Sequence, residues 1–255
     1  MSDAIFAGVL AISYQSKLIG KDRYNRMLDS SSGISAFKIA QEANFGLGAS
    51  NLKAASAKET NALIDFIKNQ CPFVQIKEYF LSQYDFLNAE ALVKSKYLKL
   101  DWSNLVSNYG LIDVNSLAQN IKDDDYEQLY PSLKMALENA DKMFVEGTAE
   151  GFLINNLFIK AYYQYLIKAV KMPLLKVTLS EKIDLINLIA AFRAKGDDAL
   201  KKEMFISGGK LSLQRINEIV NMGYETVKNE FMFSEKRDFY EKIFAITNPT
   251  GRSVL

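Results

Sequence analysis

The chain has no histidine, one cysteine, four prolines and no surplus of either charge. Each shortage closes off a class of function. Without histidine the commonest metal ligand and the commonest general base at neutral pH are missing, so zinc chemistry and Ser-His-Asp hydrolysis have little to rest on. Cys71 stands alone and cannot form an intramolecular disulfide. With 31 Lys and Arg against 30 Asp and Glu, the net charge of +1 gives no electrostatic reason to bind nucleic acid or an anionic membrane. The uncharged run AIFAGVLAI, residues 4–12, is too short to span a bilayer. The MSDA before it is acidic where a signal peptide is basic, so the chain reads as cytoplasmic.

What remains is a 255-residue chain, 49% hydrophobic and 24% charged, enough for one large core or two modest ones. Few breakers interrupt it, and apolar residues recur at helical spacing: Leu63, Ile64, Ile67 and Cys71 in one stretch, Phe152, Leu153, Leu157, Ile159 and Tyr163 in another. Ser56 with Glu59 reads as a capping box, and Thr178 with Ser180 as the start of the helix that carries EKIDLINLI. The expectation is an all-α fold.

Two segments repeat. QYDFLNAEALVKSK (83–96) and KIDLINLIAAFRAK (182–195) place Asp85 under Asp184, Asn88 under Asn187, Lys94 under Arg193 and Lys96 under Lys195, always 99 residues apart. At the same offset Ala91 meets Ala190, Gly110 meets Gly209, and apolar residues pair from Leu105 with Met204 to Leu117 with Ile216. Five identities fall in positions 84–118, where average composition gives about two by chance. One supersecondary unit used twice explains both the identities and the shared apolar positions. The entry KLIGKDRYNRML (17–28) lines up with 110–121 and with KLSLQRINEIVN (210–221), a third start of the same unit.

On a helix, Asp184, Asn187, Ala191 and Lys195 form one narrow stripe, and the apolar residues around them predict burial on nearly every side. Asp184 and Lys195 lie roughly 16 Å apart along the axis at about 1.5 Å per residue, so each needs a partner from another helix or a helix end. A buried carboxylate without a partner is costly, and paired buried polar groups serve best to fix register. The motif therefore reads as structural, since no convergent acid, base and nucleophile accompany it.

YDFLNAEALVKSKY and IDLINLIAAFRAK, each followed by an apolar stretch and a glycine, resemble the repeated signature of the C-type subunit of bacterial and archaeal V-type ATPases, the counterpart of the d-type subunit in vacuolar ATPases. SYQSKLIGKDRYNRMLDSSSGISAFKIAQEANFG resembles that family's N-terminal helix and first helical pair. The resemblance implies a pseudo-threefold arrangement of helical-bundle modules forming a funnel, in segments 1–110, 111–209 and 210–255, the third begun and incomplete. It implies a non-catalytic rotor subunit without cofactor or metal, peripheral on the cytoplasmic face of the membrane. Its partners would be the membrane rotor (c/K) ring and central-stalk subunits of the D and F type. The structural signature would be Asp85, Asn88, Lys94, Lys96, Gly110, Asp184, Asn187, Arg193, Lys195 and Gly209.

Two other readings compete. Asp123, Asp124 and Glu127, with a second near-match at NEIVNMGYE (217–225), suggest a magnesium-binding prenyl-diphosphate enzyme. The second match has Glu218 and Asn221 where that motif wants Asp and Ser or Thr, and acidic residues between helices normally form a solvated turn. A helical-repeat adaptor with Tyr79, Tyr84, Tyr162, Tyr163 and Tyr165 as anchors is the other, although aromatics at helical spacing are more often core.

Overall fold

The computed structural model describes residues 2–194 and 196–222. Among the described residues the chain forms eleven α-helices and no strand, the all-α fold that the apolar spacing predicts. No helix among them is long and apolar enough to cross a membrane. The chain divides into two units between Ser82 and Gln83.

The first unit holds α1 (Ser2–Gln15), α2 (Lys21–Leu28), α3 (Gly33–Gln41), α4 (Leu52–Asp65) and the beginning of α5 (Val74–Leu98). Arg26 of α2 grips both carboxylate oxygens of Glu42, just past α3, at 3.0 and 3.1 Å. A π-helical turn at Phe66–Gln70 extends α4 and is followed by the buried Cys71. The expected capping box at Ser56 is not used. Asn51 caps α4 instead, accepting from the Ala54 N–H at 2.9 Å, and Glu59 accepts from the Gly46 N–H at 2.8 Å. Gly46 has φ 62°, and a Cβ there would overlap Ala55, so the turn requires glycine.

The second unit continues α5 and adds α6 (Val114–Lys122), α7 (Pro131–Val145), α8 (Gly151–Ala169), α9 (Pro173–Arg193), α10 (Asp198–Met204) and α11 (Leu213–Asn221). α7 packs on α8, and α9 packs on α8, α10 and α11. Leu133, Leu137, Ile154, Phe158, Ile183, Leu188 and Ile216 are shielded from water at the centre. Each such side chain contributes about 1.5–3 kcal/mol by burial.

α9 begins earlier than Thr178 and Ser180 suggest. Pro173 occupies its first turn, where a missing N–H costs nothing. The two hydroxyls lie within the helix and bond back to its own carbonyls, Thr178 to Leu174 at 3.0 Å and Ser180 to Val177 at 2.9 Å.

The two copies share their helices and differ between them. α6 and α11 each run nine residues and begin 99 positions apart. Between them and the long helices, the second copy forms α10, whereas residues 99–105 of the first form no helix. In the second copy Asp197 caps Asp198–Met204 by accepting from Leu200 N–H at 2.9 Å. In the first, Asp101 folds onto Ser103, taking its N–H at 3.0 Å and its hydroxyl at 2.9 Å, and the local turn replaces the helix.

α2 starts after Gly20, as α6 starts after Asp113 and α11 after Ser212. The helix starts therefore align 17–28 with 110–121 and with 209–220, one residue earlier than 210–221. In that register Lys17 stands opposite Gly110 and Gly209. The remainder of the 210–255 segment beyond Met222 lies outside the described residues.

Candidate functional site

The repeated Asp and Asn find their partners in the backbone of the loop that follows each long helix. Asn88 on α5 accepts the Ser107 N–H at 2.9 Å and donates to the Ser107 carbonyl at 2.8 Å. Asn187 on α9 treats Ile206 the same way, at 2.8 Å in both directions. A side-chain amide paired in this manner mimics one rung of a backbone ladder and fixes the loop residue in both directions.

The aspartates hold the loop a few residues further on. Asp85 Oδ1 accepts the Ile112 N–H at 2.9 Å, and Asp184 Oδ1 accepts the Leu211 N–H at 2.9 Å, again 99 residues apart. The second carboxylate oxygens differ. Asp184 Oδ2 accepts the Lys210 N–H at 3.0 Å, while Asp85 Oδ2 accepts the Tyr130 hydroxyl at 3.3 Å. Burial and the Asp85 charge push the Tyr130 phenol well above its ordinary pKa, which keeps it a donor. All four side chains, Asp85, Asn88, Asp184 and Asn187, are buried. The sequence demands a partner for each without saying which, and the structure supplies backbone dipoles rather than another charge.

The glycines complete the device. A Cβ on Gly110 would overlap Asp85 Oδ1 and come within 3.2 Å of its Cγ, and one on Gly209 would overlap Asp184 Oδ1 and come within 3.0 Å of its Cγ. Neither Gly110 nor Gly209 has positive φ, so the need is for space and not for an unusual backbone. One residue beyond each bonded amide, Asp113 and Ser212 cap the next helix, accepting from Ser116 N–H at 2.9 Å and Arg215 N–H at 3.1 Å. Each copy thus consists of a long helix, a loop stapled twice to it, and a capped short helix. The caps are absent from the sequence reading, although an Asp or Ser just before Val114 and Leu213 is a helix-start signal.

The cations of the signature lie elsewhere. Lys94 pairs with the buried Glu90 at 2.5 Å, and Asn155 of α8 donates to the same carboxylate at 3.3 and 3.4 Å. Lys96 pairs with Asp124 and, at 3.5 Å, with Asp141 of α7, whose other oxygen accepts the Tyr126 hydroxyl at 2.6 Å. Burial and the Asp141 carboxylate push the Tyr97 phenol up to about 12. Arg193 is exposed at the end of α9, and Lys195 lies outside the described residues. Lys96 therefore ties α5 to α7, while Lys94 pairs within α5 with the Glu90 that Asn155 links to α8, and neither lysine joins the staples.

The acidic cluster does not converge. Asp123 accepts from Gln119 at 2.5 Å, Asp124 serves Lys96, and Glu127 accepts from Lys134 at 2.5 Å. Among the described residues no group of three or more side chains could hold a metal ion. Tyr79, Tyr162 and Tyr163 are buried, and Tyr84 and Tyr165 are half-buried.

Comparison with curated proteins and with solved structures returns no match. A family model described as "ATP synthase (C/AC39) subunit" matches residues 11–252, a span that takes in the staples of both copies, both short helices and all of the described residues except 2–10. The chain belongs to this C/AC39 family of V/A-type ATP synthase subunits.

Proposed function

We propose that this chain is a non-catalytic subunit that joins the central stalk of a V-type ATPase to its membrane rotor ring and carries torque between them. The observation that carries the reading is the family match across residues 11–252. The staples support it physically. With modules taken as 1–110, 111–209 and 210 onward, Asp85 in the first holds the amide of Ile112 in the second, and Asp184 in the second holds the amides of Lys210 and Leu211 in the third. Each aspartate staple therefore spans one of these boundaries, while Asn88 and Asn187 each hold a loop within their own module. A part that transmits torque needs such joints to resist bending, and buried, fully bonded polar groups provide stiffness that apolar contact alone does not.

On this reading the protein sits on the cytoplasmic face, peripheral to the membrane, against the c/K ring and the D- and F-type stalk subunits, and does no chemistry itself. Affinity purification of the tagged chain from membranes, followed by mass spectrometry, tests it. The ring protein and two stalk subunits are expected in the eluate, and an eluate without them overturns the reading.

A further inference from the structure

Three short helices begin in one register, and only two of them are covered. Leu117 and Ile121 on α6, and Ile216 and Val220 on α11, are buried. The aligned positions on α2 are Tyr24 and Leu28, which are 54% and 66% exposed. On α11 the cover comes from α9, whose Leu188 and Ala191 share one apolar cluster with Ile216 and Val220. The start of α2 is bare as well. Asp113 and Ser212 cap α6 and α11, whereas Gly20 gives α2 no side-chain cap. The Ile19 N–H stands in register with the Ile112 and Leu211 amides that Asp85 and Asp184 hold, yet among the described residues it makes no hydrogen bond. Arg23 Nε is buried without a partner, and Arg23 lines a hollow of about 300 Å³ with Gly20, Lys21, Asp22 and Arg26.

The sequence holds a further copy of the motif that does the covering. SEKRDFYEKIFA (234–245) matches SEKIDLINLIAA (180–191) at six of twelve positions, with Asp238 under Asp184 and Ala245 under Ala191. Average composition gives about one match by chance. The offset is 54 residues, so the copy is invisible at the 99-residue spacing of the other two. The segment lies outside the described residues. Two differences shape what it can do. Glu241 replaces Asn187 and cannot donate to a loop carbonyl, so only the aspartate half of the device carries over. Lys17 replaces the glycine whose missing Cβ makes room for the other two carboxylates, so a third one must sit further along, towards Gly20, where Lys21 and Arg23 offer it positive charge.

We propose that residues 234–245 cover the apolar face of α2 and that Asp238 binds at its start, accepting the Ile19 N–H with Arg23 as its charge partner. The proposal stands on the repeat and is independent of the function proposed above. The full chain tests it in a Cys71→Ser background with Leu28→Cys and Ala245→Cys, the counterparts of Val220 and Ala191. Mild oxidation is expected to close a disulfide within one chain, seen as a faster-moving monomer on a non-reducing gel and as one linked peptide pair by mass spectrometry. Hydrogen exchange gives a second reading without new cysteines. Asp238→Ala is expected to speed exchange at the Ile19 amide at least about 10-fold, as loss of a bond to a charged acceptor requires, while the α6 amides keep their rates and Glu235→Gln changes neither.

Disulfide-linked dimers would assign the face of α2 to a second copy of the chain and overturn the proposal. A chain that forms no disulfide overturns it, as does an Ile19 amide that exchanges alike in wild type and Asp238→Ala or is accelerated equally by Glu235→Gln. Both readings use the isolated chain. Failed copurification with stalk and ring therefore leaves this proposal standing, and its own failure leaves the function standing.

Discussion

An added methyl at Gly209 would overlap Asp184 Oδ1, a carboxylate oxygen that accepts the Leu211 amide at 2.9 Å while its twin accepts Lys210 at 3.0 Å. Gly209→Ala must therefore evict the carboxylate, and Asp184→Ala leaves two amides without an acceptor. Each change is expected to cost about 3 kcal/mol, given about 1.5–3 kcal/mol for a hydrogen bond to a charged group. Asp184→Asn, which keeps one acceptor, should cost about half of that. Urea unfolding of the full chain checks the order, and a loss below about 1 kcal/mol for Asp184→Ala contradicts the bonding described. Asp124 behaves differently. Its pair with Lys96 is largely exposed and worth under about 1 kcal/mol, but its φ is 55°. Asp124→Gly should be milder than Asp124→Ala, because alanine resists the left-handed region and glycine does not. The four buried polar side chains are legible from the sequence because the same types recur at one offset. Their partners are not, since any residue supplies the same backbone N–H and C=O groups and leaves no mark of its own in the sequence.

The two short helices begin in the same register with different caps, Asp113 before α6 and Ser212 before α11. Bonds from Ser116 N–H and hydroxyl hold the Asp113 carboxyl below its ordinary pKa. A carboxyl with a depressed folded pKa contributes stability above its unfolded value of about 3.9, and loses that contribution as pH falls through the folded value. Ser212 does not titrate. Amide exchange followed from neutral pH downward should therefore show protection falling at the first turn of α6 below about pH 4 while the first turn of α11 keeps its protection against this effect. Equal loss in both would contradict the assignment of the caps. Helix existence is readable from periodicity, because apolar side chains at Leu117 and Ile216 must both be buried. Helix starts are less so. Ser56, Thr178 and Ser180 carry the residue types of caps, yet Asn51 and Pro173 stand earlier and let each helix begin sooner. The contrast between α10 and residues 99–105 is hidden for a related reason: Asp101 and Asp197 are both acceptors, and only the residues after them decide between a turn and a helix.

At the scale of the whole molecule, the family match and the staples point the same way. A family model spans residues 11–252, and within that span each staple ties a long helix to the loop that follows it. If torque passes along these joints, loosening one should matter more to coupling than to catalysis elsewhere in the complex. Gly209→Ala in the assembled enzyme should then lower the ions moved per ATP before it lowers ATP hydrolysis, measured at a temperature where the variant stays folded. The most direct measurement follows ATP hydrolysis and ATP-driven ion uptake together in vesicles reconstituted with and without this chain. The account predicts that hydrolysis continues without the chain, that ion uptake is lost, and that adding the chain back restores uptake. Ion uptake per ATP that is the same in its absence would contradict it.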